Sequence, residues 1–342
     1  GYKTGYVGKL HLDDQHPAPE NRRYGYEWWC ESIKQRYVYD TMYWDREKQN
    51  WNKYDCYATH GQMNHTLEFI EKNVKENPEK PFLVTLSTNP PHPVMKNGTW
   101  THADAQEKWV DFYSNKDITF RKNVPENKCT QEVKDSIRMY YAHISAIDEE
   151  MGRLMNKLEE LNIRENTIVI YTSDHGDMLF SHGMKAKSKP YEEAIRVPFI
   201  ISWPEKIPQG TSSNVLLSTI DIPSTILSLV GLGSEIPSTM SGMDLSHIML
   251  GKKGPRPEVV FISSGIGNDL KWRGVRTQRY TYSISNSLAD SKQKFNVLFD
   301  NKNDPFQLNN LYGKPEVEKI QKTLDNQLLK MEKNYELNPF IR

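Results

Sequence analysis

Asp174 and His175 stand side by side where an apolar, β-branched run (Ile168 to Thr172) ends, in IVIYTSDHGDMLFSHGMKAKSKPYEEAIRVPFIISWP, residues 168–204. Carboxylate oxygen suits hard cations such as calcium, and imidazole nitrogen suits transition metals, so the pair reads as two candidate metal ligands. Two adjacent ligands do not complete a metal site, and the others must come from elsewhere. A dozen residues on lies a lysine cluster, Lys185, Lys187 and Lys189. A further imidazole, His92, sits in the Pro-stiffened loop NPPHPVM after the apolar run PFLVTLST (81–88).

Each of these residues also has a plain structural reading. Asp-His-Gly after a strand makes a turn, with Asp capping backbone donors and Gly allowing positive φ. A lone histidine in a Pro-rich loop is more often structural than catalytic, and a run of lysines is most often solvated. Tyr191-Glu192-Glu193 with Arg196 reads as an internal brace. His182 and Asp300 likewise fit a turn or an internal ion pair.

The elements that must position these residues follow from periodicity. Met63, Leu67, Ile70 and Val74 recur at helical spacing and predict a helix over 62–77, ended by Pro78. PFLVTLST reads as a buried strand by its continuous apolar character. Residues 96–130 are polar, irregular and aromatic, an insertion suited to lining a cleft. Ile137, Tyr140, Ile144, Ile147, Met151, Leu154 and Leu158 predict a long amphipathic helix. Strands follow at 168–172 and 197–203, then a helix in DIPSTILSLVGLG (221–233), with Pro223 in its first turn and Gly231 or Gly233 past its end. This alternation predicts a mostly parallel α/β sheet covered by helices on both faces. After the Gly/Pro/Lys stretch LGKKGPRPE the texture changes: WRGVRTQRYTYSI and FNVLFD read as antiparallel strands, with an amphipathic helix around 315–333. The expected division is therefore 1–254, an α/β domain, and 255–342, a smaller α+β unit. Ligands of open α/β sheets bind outside the carboxyl ends of the strands, where Asp174, His175 and His92 all fall.

Bulk composition narrows the function classes. The 342 residues suit about two domains. Lys plus Arg equals Asp plus Glu at 44 each, so there is no basic field to attract nucleic acid. The longest apolar runs have strand length, and no membrane span is expected. Cys30, Cys56 and Cys129 form no metal-spacing pair; they fit one disulfide and a free thiol, or three buried thiols. Sequons occur at Asn64 and Asn97. The chain opens at Gly1 with a motif already under way, so it reads as a fragment or a processed chain, and a missing leader says nothing of compartment.

Four stretches together resemble the sulfatase family. GYKTGYVGKLHL is similar to its G-Y-x-T-G-x-x-G-K-x-H-L signature. SDHGDMLFSHGMKAK followed by YEEAIRVPFII resembles its S-D-H-G-E-x-x-x-x-H-G-x-x-x-K and Y-E-E-x-x-R-V-P block. STIDIPSTILSLVGL and LFDNKNDPFQLNNL look like its V-D-x-x-P-T-x-L-x-x-x-G segment and its L-Y-D-L-x-x-D-P-x-E-x-x-N-L ending. The matches fall in the family's order and run nearly end to end. The resemblance implies an alkaline-phosphatase-like α/β fold, and hydrolysis of sulfate monoesters, with sulfated small molecules or glycans as substrates and export to the periplasm or cell exterior.

It also implies roles. Sulfatases hold a divalent cation, usually calcium, between two upstream aspartates and the pair matched by Asp174 and His175. Many relatives have Asn where His175 stands, and nitrogen leaves manganese or another transition metal open. The nucleophile is a formylglycine made within a Cys/Ser-x-Pro-x-Arg motif, which this sequence lacks, so both it and the missing ligands are expected upstream of Gly1. Lys9 would hold the nucleophile's oxygen or the sulfate, and His11 would be the base on its hydroxyl. His92 would contact sulfate or protonate the leaving group, and Lys187 would neutralise a sulfate oxygen. Asp13, Gln307 and the Ala of Lys185-Ala186-Lys187 depart from the pattern. The last, in place of a common Gly, puts Lys185 forward as a substitute for Lys187. The alternatives are a phosphonate or phosphodiester hydrolase of the same superfamily, and a non-catalytic truncated protein.

Overall fold

The computed structural model describes residues 1–33, 38–96, 99–102, 104–265, 271–286 and 294–334. They form two compact units, Gly1–Phe120 with Cys129–Thr167, and Arg121–Lys128 with Ile168–Arg342. The sequon at Asn97 and the Trp100 side chain lie outside the described residues.

In the first unit, strands β1 (Lys3–Lys9), β2 (Trp28–Ser32), β3 (Met42–Asp45) and β4 (Asn50–Lys53) precede helix α1 (Ala58–Glu76) and strand β5 (Phe82–Ser87). They form one sheet of order β4-β3-β2-β1-β5. β1 lies between β2 and β5 and runs parallel to both, which explains its buried middle rather than an alternating one. Gly8 is required there: at φ +107° a Cβ would lie 2.1 Å from the Ser87 carbonyl oxygen. β2, β3 and β4 continue antiparallel. α1 buries Met63, Leu67 and Ile70, the predicted face. β6 (Val94–Lys96) and β7 (Thr99–Thr101) make a short hairpin, followed by α2 (Glu107–Ser114) and the 30-residue α3 (Gln131–Glu160). Thr130 caps α3 by accepting from the Val133 amide at 3.3 Å.

Two expectations are corrected here. β5 is not fully buried: it is the outer strand, with Leu83 at 42% exposure. Residues 96–130 are not wholly irregular, because α2 forms and docks on α3 through Tyr113 Oη–Ser145 Oγ (3.0 Å) and Trp109 Nε1–Glu149 (3.3 Å). The cysteines are all free, and only Cys30 is buried.

The second unit holds β8 (Val169–Thr172), α4 (Glu192–Ile195), β9 (Phe199–Ser202), α5 (Asp221–Leu229) and α6 (Ser246–Met249). β8 and β9 pair antiparallel, so parallel pairing among the described strands is confined to β2-β1-β5. Gly231, at φ +81°, ends α5 as its position predicts. β10 (Val259–Ser264), β11 (Trp272–Thr277), β12 (Tyr280–Ser285) and β13 (Val297–Asp300) form an antiparallel sheet in sequence order. α7 (Glu318–Asn334) covers it, packing Leu324 and Leu328 on Val275, Tyr282 and Leu298. The architecture is an α/β fold with a mixed sheet and a C-terminal antiparallel sheet. Among the described residues no helix is long and apolar enough to cross a membrane.

Candidate active site

β8 delivers Asp174 and His175 to a tightly fixed turn. Thr172 Oγ1 donates to the Pro198 carbonyl at 2.9 Å, which ties the strand end to the approach to β9. Ser173 Oγ donates to the His175 carbonyl at 2.8 Å, and His175 Nδ1 donates to the Gly176 carbonyl at 2.8 Å. Gly176 is pressed on α4: its amide donates to the Ala194 carbonyl at 3.0 Å, and a Cβ would lie 1.9 Å from the Glu193 carbonyl oxygen. A carbonyl only accepts, so the proton sits on Nδ1 and Nε2 presents its lone pair. Lys187 Nζ donates to that Nε2 at 2.6 Å, and Asp174 Oδ2 lies 3.4 Å from it.

Asp174, His175 and Lys187 therefore meet. The Asp174 carboxylate is 76% exposed and the imidazole 24%. A hard oxygen donor and an imidazole nitrogen are donor types of a divalent-cation site, although here the nitrogen lone pair is taken by the Lys187 ammonium, which a metal ion would have to displace. Among the described residues, no group of three or more His, Cys, Asp or Glu is placed to hold a metal ion, so the pair is a partial donor set.

The lysine cluster divides by geometry. Lys185 lays its ammonium over the Phe180 ring at 4.8 Å from the centroid, while Lys187 reaches His175. Lys189 turns inward and donates to backbone carbonyls, and burial pushes its pKa below the ordinary lysine value. Most residues read as scaffold have internal partners, but Arg196 is exposed and does not brace Glu192 or Glu193. His182 stacks on Tyr191 at 4.2 Å and accepts from Asn123 Nδ2 at 3.2 Å; burial lowers its pKa. Glu193 pairs with Arg121 (3.0 Å) and Glu192 with Arg276 (2.8 Å). Gln307, which departs from the Glu of the motif this segment resembles, accepts from the Glu192 amide and donates to Asn301 Oδ1, each at 2.9 Å. A carboxylate could only accept there.

In the first unit Lys9 ends the central parallel strand, level with Ser32 of β2. His92 follows the carboxyl end of the adjacent β5. Its amide donates to the Asn89 carbonyl at 3.1 Å and its Nδ1 to the Pro93 carbonyl at 2.7 Å, which turns Nε2 outward from its own loop. His11 is exposed in the segment after β1. That segment is anchored by Leu10 and Ala18 in one cluster with Tyr6 and Trp29, and by the buried Glu31 carboxylate, which accepts from the Ala18 amide at 2.8 Å. Lys9 and His92 thus occupy the carboxyl edge of the parallel strands; the sequence placed His92 at a strand end but gave no strand ending at Lys9.

Residues 1–232 match the family described as Sulfatase, and residues 181–334 match the C-terminal region of N-sulphoglucosamine sulphohydrolase.
This chain belongs to the sulfatase family.
It is 34% identical to the ulvan-active sulfatase of Formosa agariphila, over 96% of this chain and 63% of that protein. It is 28% identical to the endo-4-O-sulfatase of Bacteroides thetaiotaomicron, over 91% of this chain and 67% of the relative. A structure from work on the metabolism of multiple glycosaminoglycans by Bacteroides thetaiotaomicron aligns at a TM-score of 0.84 and 26% identity, over 98% of this chain and 75% of the other. The chain thus spans just under two thirds of the ulvan-active relative's length.

Sequence reading did not single out Asn123, Trp272 or Glu31 in this sulfatase chain. Asn123 bridges His182, Glu193 and the Phe306 carbonyl, and Trp272 Nε1 donates to the Ser188 carbonyl at 3.0 Å. Each acts across a long sequence separation, which leaves no local pattern to find.

Proposed function

We propose that this protein hydrolyses sulfate monoesters on sulfated glycans. The observation that carries the reading is the contact of Lys187 Nζ with His175 Nε2, beside Asp174, at the end of β8 in a chain of the sulfatase family. The names of the relatives, ulvan-active and endo-4-O-sulfatase, support a glycan rather than a simple ester.

Asp174 and His175 would hold a divalent cation, with calcium the first choice and manganese open to the nitrogen ligand. That cation, and a formylglycine borne outside these residues, would supply the charge and the nucleophile. Lys187 would neutralise a sulfuryl oxygen, and Lys9 would hold a second or the nucleophile's oxygen. His11 would accept the proton of the nucleophile's hydroxyl. His92, once it has taken up a proton on Nε2 to become imidazolium, would give that proton to the leaving alcohol, because the Pro93 carbonyl holds the Nδ1 proton. Residues 1–254 would form the catalytic domain and 255–342 a C-terminal subdomain. The protein would act in the periplasm or outside the cell.

Chelation tests the cation's part in this reading. Turnover of a sulfated sugar by the full-length protein is expected to fall on treatment with EDTA and return on adding calcium or manganese. Undiminished turnover in a metal-free preparation would remove Asp174 and His175 from the role given them.

A further inference from the structure

We propose that Lys189 is a positioning residue, holding the loop that aims Lys187 at His175; this rests on the part given to Lys187 above. Lys187 is flanked by Ala186 at φ +60° and Ser188 at φ +67°, both in the left-handed region. A side chain bearing Cβ is disfavoured there, so this backbone needs support from outside itself.

The support is visible in four consecutive carbonyls. Lys189 Nζ donates to the carbonyls of Lys187 at 2.8 Å and Lys185 at 3.3 Å. The Met178 amide donates to the Ala186 carbonyl at 2.9 Å, and Trp272 Nε1 to that of Ser188 at 3.0 Å. The buried indole of β11 fixes one side of the loop, and the Lys189 ammonium bridges the carbonyls on either side of Ala186. A solvated lysine would leave its ammonium in water; this one is half-buried and bonded to the backbone of its own cluster. The three lysines thus do three things: Lys185 covers an aromatic ring, Lys189 braces, and Lys187 reaches the imidazole. Without the brace the loop can relax from its two left-handed residues, and the Lys187 ammonium swings with it.

The test is a double-mutant cycle on the full-length enzyme, read as sulfate released from whichever O-sulfated hexosamine it turns over. Lys189→Met is expected to lower kcat by about tenfold with little change in KM, the size of a misplaced electrostatic group. In a Lys187→Ala background the same change is expected to alter kcat by less than about twofold, because Lys189 then has nothing to aim. Trp272→Phe, which removes only the indole donor while keeping a ring, is expected to show the same non-additivity in a milder form. Should Lys189→Met fail to fold, Lys189→Gln is carried through the same cycle. Full kcat in the Lys189 variant, or an equal loss with and without Lys187, would overturn the proposal. Near-normal turnover in Lys187→Ala alone would overturn the part given to Lys187 and leave the brace without a purpose.

Discussion

At the scale of single residues, the imidazole of His175 shows how little freedom the strand end leaves. Its Nδ1–H is committed to the Gly176 carbonyl, and Gly176 is fixed because α4 leaves no room for a Cβ. The lone pair is therefore aimed by the backbone before any ligand arrives. Lys187 supplies positive charge at that point, and the Pro93 carbonyl holds the His92 Nδ1–H, leaving Nε2 as the ring nitrogen that can take up or give a proton. In the full-length enzyme Lys187→Ala and His92→Ala are each expected to lower kcat by about two or more orders of magnitude, the range for losing one electrostatic or acid–base group. Steady-state kinetics on a sulfated sugar checks this, and near-normal kcat in either variant would remove that residue from the site. Residue types were legible from the sequence: Asp174, His175 and Lys187 do meet. The choice between Lys185 and Lys187 was not, since it depends on the left-handed turn at Ala186, which an alanine does not announce.

Among the elements, the C-terminal sheet carries an ion pair with a definite acid signature. Arg279, in the turn between β11 and β12, makes two hydrogen bonds to Asp300 at the end of β13, at 2.9 and 2.6 Å. These hold the Asp300 carboxyl below the usual carboxylate range. A folded-state pKa below the unfolded value gives stabilisation that is complete above the unfolded pKa of about 3.9 and is lost as pH falls through the folded value. Arg279→Gln is expected to lower Tm at neutral pH, by an amount that shrinks below about pH 4. Thermal melts across pH 2 to 7 check it, and a difference that does not vary with pH would contradict it. The helices were the most legible elements, because α1 and α3 are long enough to display their apolar stripe. α2, only two turns long and with no fully buried residue, is too short for its apolar face to repeat as a readable pattern. β5 looked like an interior strand because its residues are apolar, and its outer position in the sheet cannot be read from composition.

For the molecule as a whole, the α/β class and the antiparallel C-terminal sheet were both legible, from strand–helix alternation and from the change in texture near residue 255. Strand direction was less so: β8 and β9 pair antiparallel although the strand–helix alternation predicted a mostly parallel sheet. The balanced charge, 44 basic against 44 acidic residues, places any anion recognition in local groups such as Lys9 and Lys187 rather than in an overall field. Membership of the sulfatase family, the shared fold and the groups at the strand ends all bear on one claim, sulfate-ester hydrolysis of a glycan. The most direct measurement is ion chromatography of the products when the full-length protein meets a panel of O-sulfated hexoses and hexosamines alongside matched phosphate diesters and phosphonate esters. The account predicts inorganic sulfate from at least one sugar, and no turnover of comparable rate on the phosphorus esters. Turnover confined to the phosphorus esters, or none on any member of the panel, would contradict it.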